Sequence, residues 1–420
     1  MSTAKSLDGA AFGVSPESLL ETPSRLPGFY KLHLQERCMV LQTAAGLSAE
    51  ELGALTAGLD PQTADGMIEN AIGVYGLPLG VGLNFVVNGR EVLVPMAVEE
   101  PSVVAAASNA ARMVRAGGGF VAQADEAIMT AQVELLGVPD HAAAVGRFEA
   151  ALPTLLEEAN AVLPRLVARG GGVRGLELRS AGGPERLVVH IHVDCQDAMG
   201  ANIVNTLAEA MAGRLAALAG GHHGLRILTN LCDRRCVRVK ARVPVGMLAA
   251  REFNGSEVAA GIEAASRFAE EDAYRAATHN KGIMNGIDPV VIATGNDWRG
   301  VEAGAHAFAA QQGRYRPLST WRVWGGELCG ELALPLAVGT VGGTLGRHPA
   351  ARAALRLTRA RSARELGMII ASAGLASNLA ALRALASEGI QRGHMALHNR
   401  ALSVTAAGIM EAQNVVEAKA

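Results

Sequence analysis

Residues 173–202 read VRGLELRSAGGPERLVVHIHVDCQDAMGAN, and the periods within this stretch decide the fold. Val173–Arg179 and Leu187–Val193 read as strands, separated by the turn residues Gly182, Gly183 and Pro184. In the second strand Leu187, Val189, Ile191 and Val193 share one face, while His190 and His192 share the other, which is expected to be an exposed sheet face, with metal ligation by the two histidines as the lesser alternative. Asp197-Ala198-Met199-Gly200-Ala201-Asn202 then opens a helix from about Met199 to Leu218. Working outward, a strand at Ala131–Val138 leads through Pro139-Asp140 into a helix over about His141–Leu163, and a last strand covers Leu225–Thr229. The order is β-α-β-β-α-β, that of a ferredoxin-like domain. A formal G-x-G-x-x-G at Gly170, Gly172 and Gly175 lies between helix and strand. A dinucleotide fingerprint needs strand then helix, so these glycines read as a turn.

The rest of the chain frames this unit. Residues 1–24 read as a mobile leader, and a helical pattern runs from about Leu34 to Leu59. Asn88-Gly89 separates apolar runs at Val81–Val87 and Glu91–Val98, which predicts a hairpin. Pro101-Ser102 starts a helix from Val103 to about Ala116. A Gly-rich loop spans Gly339–Gly346, and an Ala/Leu helix covers Ala363–Leu385. The fold class is α+β: a large mixed α/β domain in two parts, 1–126 and 231–389, interrupted by a ferredoxin-like insert at 127–230 and ending in a short tail at 390–420.

The chain has 420 residues, half of them hydrophobic, and a formal net charge of −2. That balance gives no electrostatic footprint for nucleic acid. The N-terminal residues lack the apolar core of a signal peptide, and no charge-free run is long enough for a membrane span. The expectation is a cytoplasmic protein with no membrane partner. The five cysteines are an odd number, spread widely, and read as free thiols. Abundant small residues with 4% aromatics favour an oligomer. The cluster Arg352, Arg356, Arg359, Arg361 and Arg364 has helical spacing and reads as a solvated face.

Chemistry concentrates at residues 275–308, RAATHNKGIMNGIDPVVIATGNDWRGVEAGAHAF. Lys281 and Asp297 are expected to bracket a buried strand, as a site for an oxyanion or phosphate or as a structural ion pair. Glu100, just before a helix, fits either a functional carboxylate or a favourable charge near the helix N-terminus. Asp197 and Gly200 suit a pyrophosphate at a helix start, or a plain cap. His394 and His398 are four apart but lack the glutamate of a zinc-protease motif. Cys232 and Cys236 have no second ligand pair nearby, so no metal site is expected.

Taken in order, MIENAIG (Met67–Gly73), EEPSVVAAA (Glu99–Ala107), DAMGAN (Asp197–Asn202), YRAATHNKGIMNGID (Tyr274–Asp288), TGNDWRGVEAGAH (Thr294–His306) and EGIQRGHMALH (Glu388–His398) resemble the 3-hydroxy-3-methylglutaryl-CoA (HMG-CoA) reductases of class II, the bacterial type. The resemblance implies a four-electron reduction of HMG-CoA to mevalonate with two reduced nicotinamide dinucleotides, or the reverse. It implies that Glu100, Lys281, Asp297 and His394 are catalytic, with Asp297 holding Lys281. It places the HMG portion on Ser102, Arg275, Thr278 and Asn285. The dinucleotide falls to Asp197, Met199, Gly200, Asn202, Thr206 and Asn230 of the insert. It also implies a homodimer with shared active sites, extensible to a trimer of dimers, and coenzyme A as part of the substrate. Leu163 stands where some NAD-selective members carry Asp; NADH is the modest favourite and NADPH the alternative. The 26 residues after His394 make a shorter flap than the class leads one to expect. Rival readings are an oxidative role in mevalonate breakdown and a non-catalytic CoA-ester or nucleotide-binding protein.

Overall fold

The computed structural model describes residues 24–181, 186–250 and 252–389. The expected leader (but for residue 24), the turn at Gly182-Gly183-Pro184 and the tail with His394 and His398 lie outside the described residues. The helical pattern over Leu34–Leu59 resolves into two helices. α1 (Leu34–Ala45) stops at Gly46, and α2 (Ala49–Ala57) restarts behind Ser48, which exchanges capping-box hydrogen bonds with Glu51. Apolar period does not report such a break; the caps do. After α3 (Pro61–Asp65) come β1 (Leu79–Val87) and β2 (Arg90–Ala97). They form the expected hairpin, with Asn88 and Gly89 at φ 50° and 75°, as a two-residue turn between twisted strands requires. α4 (Val103–Ala116) and β3 (Phe120–Ala124) complete this part.

The middle of the chain folds in the expected order: β4 (Ile128–Leu136), α5 (His141–Val162), the short α6 (Pro164–Val167), β5 (Gly172–Ser180), β6 (Arg186–Asp194), α7 (Ala201–Ala219) and β7 (His222–Leu228). The sheet order is β5-β6-β4-β7, with every pair antiparallel. Val189, Ile191 and Val193 are fully buried and share a core with Val204, Leu207 and Met211 of α7. The opposite face departs from expectation: His192 is 7% exposed rather than solvated. Its Nδ1 lies 2.9 Å from Thr130 Oγ1 on β4, and Glu177 of β5 lies beside it. Neighbouring strands supply long side chains that close over the ring. An alternation pattern within one strand cannot reveal that.

β3 and β8 (Cys236–Pro244) are hydrogen-bonded neighbours, so the chain leaves for the insert and returns on adjacent strands of one sheet. The large part continues with α8 (Gly255–Glu271), α9 (Ala273–Ala293), α10 (Trp298–Ala310), β9 (Ser319–Trp324), β10 (Glu327–Pro335), α11 (Pro349–Thr358) and α12 (Ala363–Leu385). Its six strands lie in the order β2-β1-β3-β8-β10-β9. The strand expected between Lys281 and Asp297 is instead the last turns of α9, with Pro289 inside the helix. A short apolar run suits a buried helix as well as a strand, and here packing decides. α9 lies so close to α12 that a Cβ on Gly286 would sit 2.2 Å from the Ala373 carbonyl oxygen. α12 is long and apolar enough to cross a bilayer, yet 67% of its apolar window is buried in this core. The arginine cluster is also more than a solvated face: Arg356 pairs with Glu51 at 3.2 Å, and Arg359 donates to the Ala44 carbonyl. These contacts tie α11 to the first helices. All three cysteines at the junction of insert and large part are buried free thiols. Burial pushes Cys195 up to about 12, and Cys232 and Cys236 up to about 11.

Candidate active site

Helix α9 divides its residues between anchoring and display. Asp272 caps it, accepting from the Arg275 N–H at 2.6 Å. Arg275, Thr278, Lys281, Asn285 and Asp288 recur every three or four residues and therefore share one side. The other side is buried through His279, Asn280, Ile283 and Ile287. Asn280 donates to the Arg316 carbonyl at 2.9 Å and accepts from the Leu318 N–H at 2.8 Å. His279 Nε2 lies 2.7 Å from Ser319 Oγ, which bonds Asn378 Oδ1, also the acceptor for Trp321 Nε1 at 2.7 Å. Burial pushes His279 down to about 4, so it is neutral in this network. His279 and Asn280, between Thr278 and Lys281 in sequence, thus hold the helix in place and aim Lys281 outward.

Lys281 Nζ donates to Glu100 Oε2 at 3.0 Å. Glu100 sits in the loop between β2 and α4, and does not serve the first turn of α4, which contains no acid. That loop is strained: Ser102, not glycine, has φ 78°, and its Oγ is buried with no hydrogen-bond partner among the described residues. Among the described residues the Arg275 guanidinium meets no acid either, and burial lowers its proton affinity. Pro289 brings no N–H, which deprives the Asn285 carbonyl of its helical donor. The α9 stripe therefore presents an ammonium and a guanidinium, and the loop that brings Glu100 to Lys281 carries the orphan Ser102 hydroxyl. That set fits a small, anionic, hydroxylated substrate.

Asp297 differs from expectation. It caps α10 through the Gly300 N–H and pairs with Arg299 at 3.2 Å, and no Lys281–Asp297 ion pair forms. Asn230 packs against the same turn: a Cβ on Gly300 would lie 3.1 Å from Asp297 Oδ2 and 3.2 Å from Asn230 Oδ1. Asn230 and Asp297 are thus brought together from distant sequence.

The cofactor candidates gather at the start of α7. Gly200 caps it with φ 107°, and a Cβ there would lie 2.4 Å from Cys195 Sγ, so backbone alone fits. Asn202 and Thr206 are exposed on the first turns, one above the other, and Met199 is half-buried. Asp197 neither caps α7 nor points free: its Oδ1 accepts from the Ala363 N–H at the start of α12, at 2.8 Å. The glycine loop docks on this segment. Thr340 N–H donates to the Asp197 carbonyl, and Gly339 N–H to Asn296 Oδ1 at 2.7 Å. Sequence reading missed Arg235, a cation 5% exposed that bonds the carbonyls of Ala198, Met199 and Val338 and so fixes the loop from behind. No local pattern marks it. Beside Ile203 opens a cavity of about 420 Å³ lined by Leu163, Arg165 and Arg169, with no carboxylate in its lining.

At Asp288 the stripe meets a second half-buried carboxylate, Glu302 of α10. Burial and the neighbouring Glu302 carboxylate push Asp288 up to about 8. Glu302 has His306 Nε2 at 2.6 Å, and His306 Nδ1 in turn meets Tyr315. The shared proton therefore belongs on Asp288. Its folded pKa is raised above the ordinary 3.8, so this stabilisation is complete below about pH 4 and lost as pH rises through about 8. Asp288→Asn should accordingly gain in melting temperature on the parent protein as pH rises across that window, then level off. Melting curves showing the same offset at every pH would contradict this.

A sequence profile described as hydroxymethylglutaryl-coenzyme A reductase matches residues 33–399. The 3-hydroxy-3-methylglutaryl-coenzyme A reductase of Archaeoglobus fulgidus is 47% identical over 387 residues, covering 91% of this chain and 87% of that protein. A probable one from Borreliella burgdorferi is 36% identical, covering 79% of this chain and 76% of that protein. Among solved structures, the class II enzyme of Streptococcus pneumoniae bound to NADPH, in open conformations, superposes with TM-score 0.83 at 45% identity, over 86% of this chain and 99% of that one. The motifs, the architecture and these likenesses lead to one conclusion: the chain belongs to the hydroxymethylglutaryl-coenzyme A reductase family.

Proposed function

We propose that this protein reduces HMG-CoA to mevalonate and free coenzyme A, reversibly and in two steps. The observation that carries the proposal is the Lys281–Glu100 contact at 3.0 Å on the same stripe as the unpaired Arg275. Arg275 is suited to the substrate carboxylate, and Ser102, Thr278 and Asn285 to its hydroxyl and carbonyl groups. A bound nicotinamide dinucleotide supplies one hydride in each step. When the thioester carbonyl becomes a tetrahedral oxyanion, the Lys281 ammonium stabilises it. Collapse of this hemithioacetal to mevaldehyde breaks the C–S bond, and His394 protonates the departing thiolate. In the second step Glu100 delivers a proton to the aldehyde oxygen through the Lys281 contact as the carbon is reduced. Asp297 approaches Lys281 on closure, giving up its hydrogen bonds with Arg299 and the α10 cap.

Asp197, Met199, Gly200, Asn202, Thr206 and Asn230 form the dinucleotide side, within an insert bounded near residues 127 and 230. Residues 1–126 and 231–389 hold substrate and dimer contacts, and 390–420 forms the flap. NADPH is now preferred over NADH, because the cavity beside Ile203 offers Arg165 and Arg169 and no carboxylate to repel a 2′-phosphate. The Arg165→Glu/Arg169→Glu double variant should raise KM for NADPH by about ten-fold or more, while KM for NADH changes little. An equal effect on both would remove this assignment. Ile68, Ile72 and Tyr75 are strongly exposed, which supports a homodimer covering them; a cytoplasmic location completes the proposal. Steady-state kinetics test the whole reading: HMG-CoA with NADPH or NADH, and mevalonate with CoA and oxidised dinucleotide. Absence of turnover in both directions would sink it.

A further inference from the structure

We propose that Glu177, His190 and His192 form a divalent-metal site, suited to zinc, on the face of the four-stranded sheet opposite its helices. Strand pairing assembles it: Glu177 lies directly across from His190, and Gly175 across from His192. A Cβ on Gly175 would lie 4.0 Å from His192 Cδ2, so the ring sits uncrowded beside Glu177. One ligand atom from each of the three residues lies within 4.8 Å of the others. Glu177 Oε2 and His192 Nε2 are 3.5 Å apart. Ligands of a tetrahedral zinc with bonds of about 2.0–2.1 Å stand about 3.3 Å from one another, so small side-chain rotations close the set.

The surroundings match what a metal-binding imidazole needs. Thr130 Oγ1 lies 2.9 Å from His192 Nδ1, which leaves Nε2 directed at Glu177. Gln132 Nε2 lies 2.9 Å from His190 Nε2; with its amide flipped, Gln132 Oε1 accepts from that nitrogen and leaves Nδ1 for the ion. Two nitrogens and one carboxylate favour zinc, cobalt or nickel over magnesium or calcium, which prefer oxygen. Arg234 opposes the ion: it bonds Glu177 Oε2 at 3.2 Å and neutralises the carboxylate. Its side chain is 54% exposed, so it can swing into solvent when a cation takes its place. β6 runs from His192 directly into the Asp197–Gly200 loop, so a bound ion would stiffen the strand that leads to the dinucleotide side.

The test is calorimetric titration of the full chain, freed of metal by a chelator, with zinc alone. The parent protein should bind one more equivalent than Glu177→Gln or His192→Ala, or bind it about ten-fold more tightly. Glu177 is exposed, so its variant keeps the fold if the buried His192 variant does not. Arg234→Gln should tighten the same equivalent. With cobalt, the parent should show tetrahedral visible bands that Glu177→Gln lacks. Equal zinc stoichiometry and affinity in the parent and Glu177→Gln, or zinc affinity unchanged in Arg234→Gln, would overturn the site and leave a plain Glu177–His192 hydrogen bond.

Discussion

Lys281→Ala is expected to lower kcat for HMG-CoA reduction by about 10²–10³-fold, the usual cost of deleting one group that stabilises an oxyanion. The side chain is 62% exposed, and the buried anchors of α9 lie on the opposite side of the helix. The melting temperature should therefore change little, and KM for HMG-CoA should move far less than kcat, because Arg275 still holds the carboxylate. Lys281→Arg should not restore the rate. A guanidinium keeps the charge but is planar and reaches Glu100 in a different geometry. If Lys281→Ala retained the parent kcat, Lys281 would not face the developing oxyanion, and the proposed chemistry would fall with it.

Trp321→Ala is expected to have the largest effect on stability, about 3–5 kcal/mol, read as a fall of several degrees in melting temperature. Trp321 is fully buried, and its indole fills the space over Gly330, where a Cβ would lie 2.3 Å from the ring. Its removal also takes a donor from Asn378 Oδ1, the acceptor shared with Ser319, which holds His279 on α9. Loss of packing and loosening of the helix that carries Lys281 should come together. Trp321→Phe should recover much of the packing but not the hydrogen bond, and so fall between. A melting temperature unchanged in Trp321→Ala would mean that the buried network does not anchor α9.

Local chemistry was legible where one segment contained its own answer. Asn88-Gly89 requires left-handed backbone and forms the predicted turn. The alternation of Val189, Ile191 and Val193 marks the buried face of β6, and the element order fits the four-stranded sheet that forms. The apolar run after Lys281 has a length that suits strand or helix; contact with α12, close enough to exclude a Cβ at Gly286, makes it helix. His192 was read as solvated, since strand period reports which side a residue takes but not what the next strand lays over it. Arg235 gave no signal at all, because its partners are backbone carbonyls from two segments distant in sequence.

By itself, then, the sequence determined the element order, the family through its ordered motifs, and the residue types of the site: a lysine, an arginine, carboxylates and a glycine-led helix start. These follow from side-chain chemistry and short-range periodicity, which travel with the chain. The tertiary structure alone decided that Glu100 and not Asp297 meets Lys281, that Asp197 bonds the first N–H of α12 instead of its own helix, and that two arginines line the cavity beside Ile203. Each of those is a distance between segments far apart in sequence. Such distances are set by how helices and sheets pack, and no single segment contains that information.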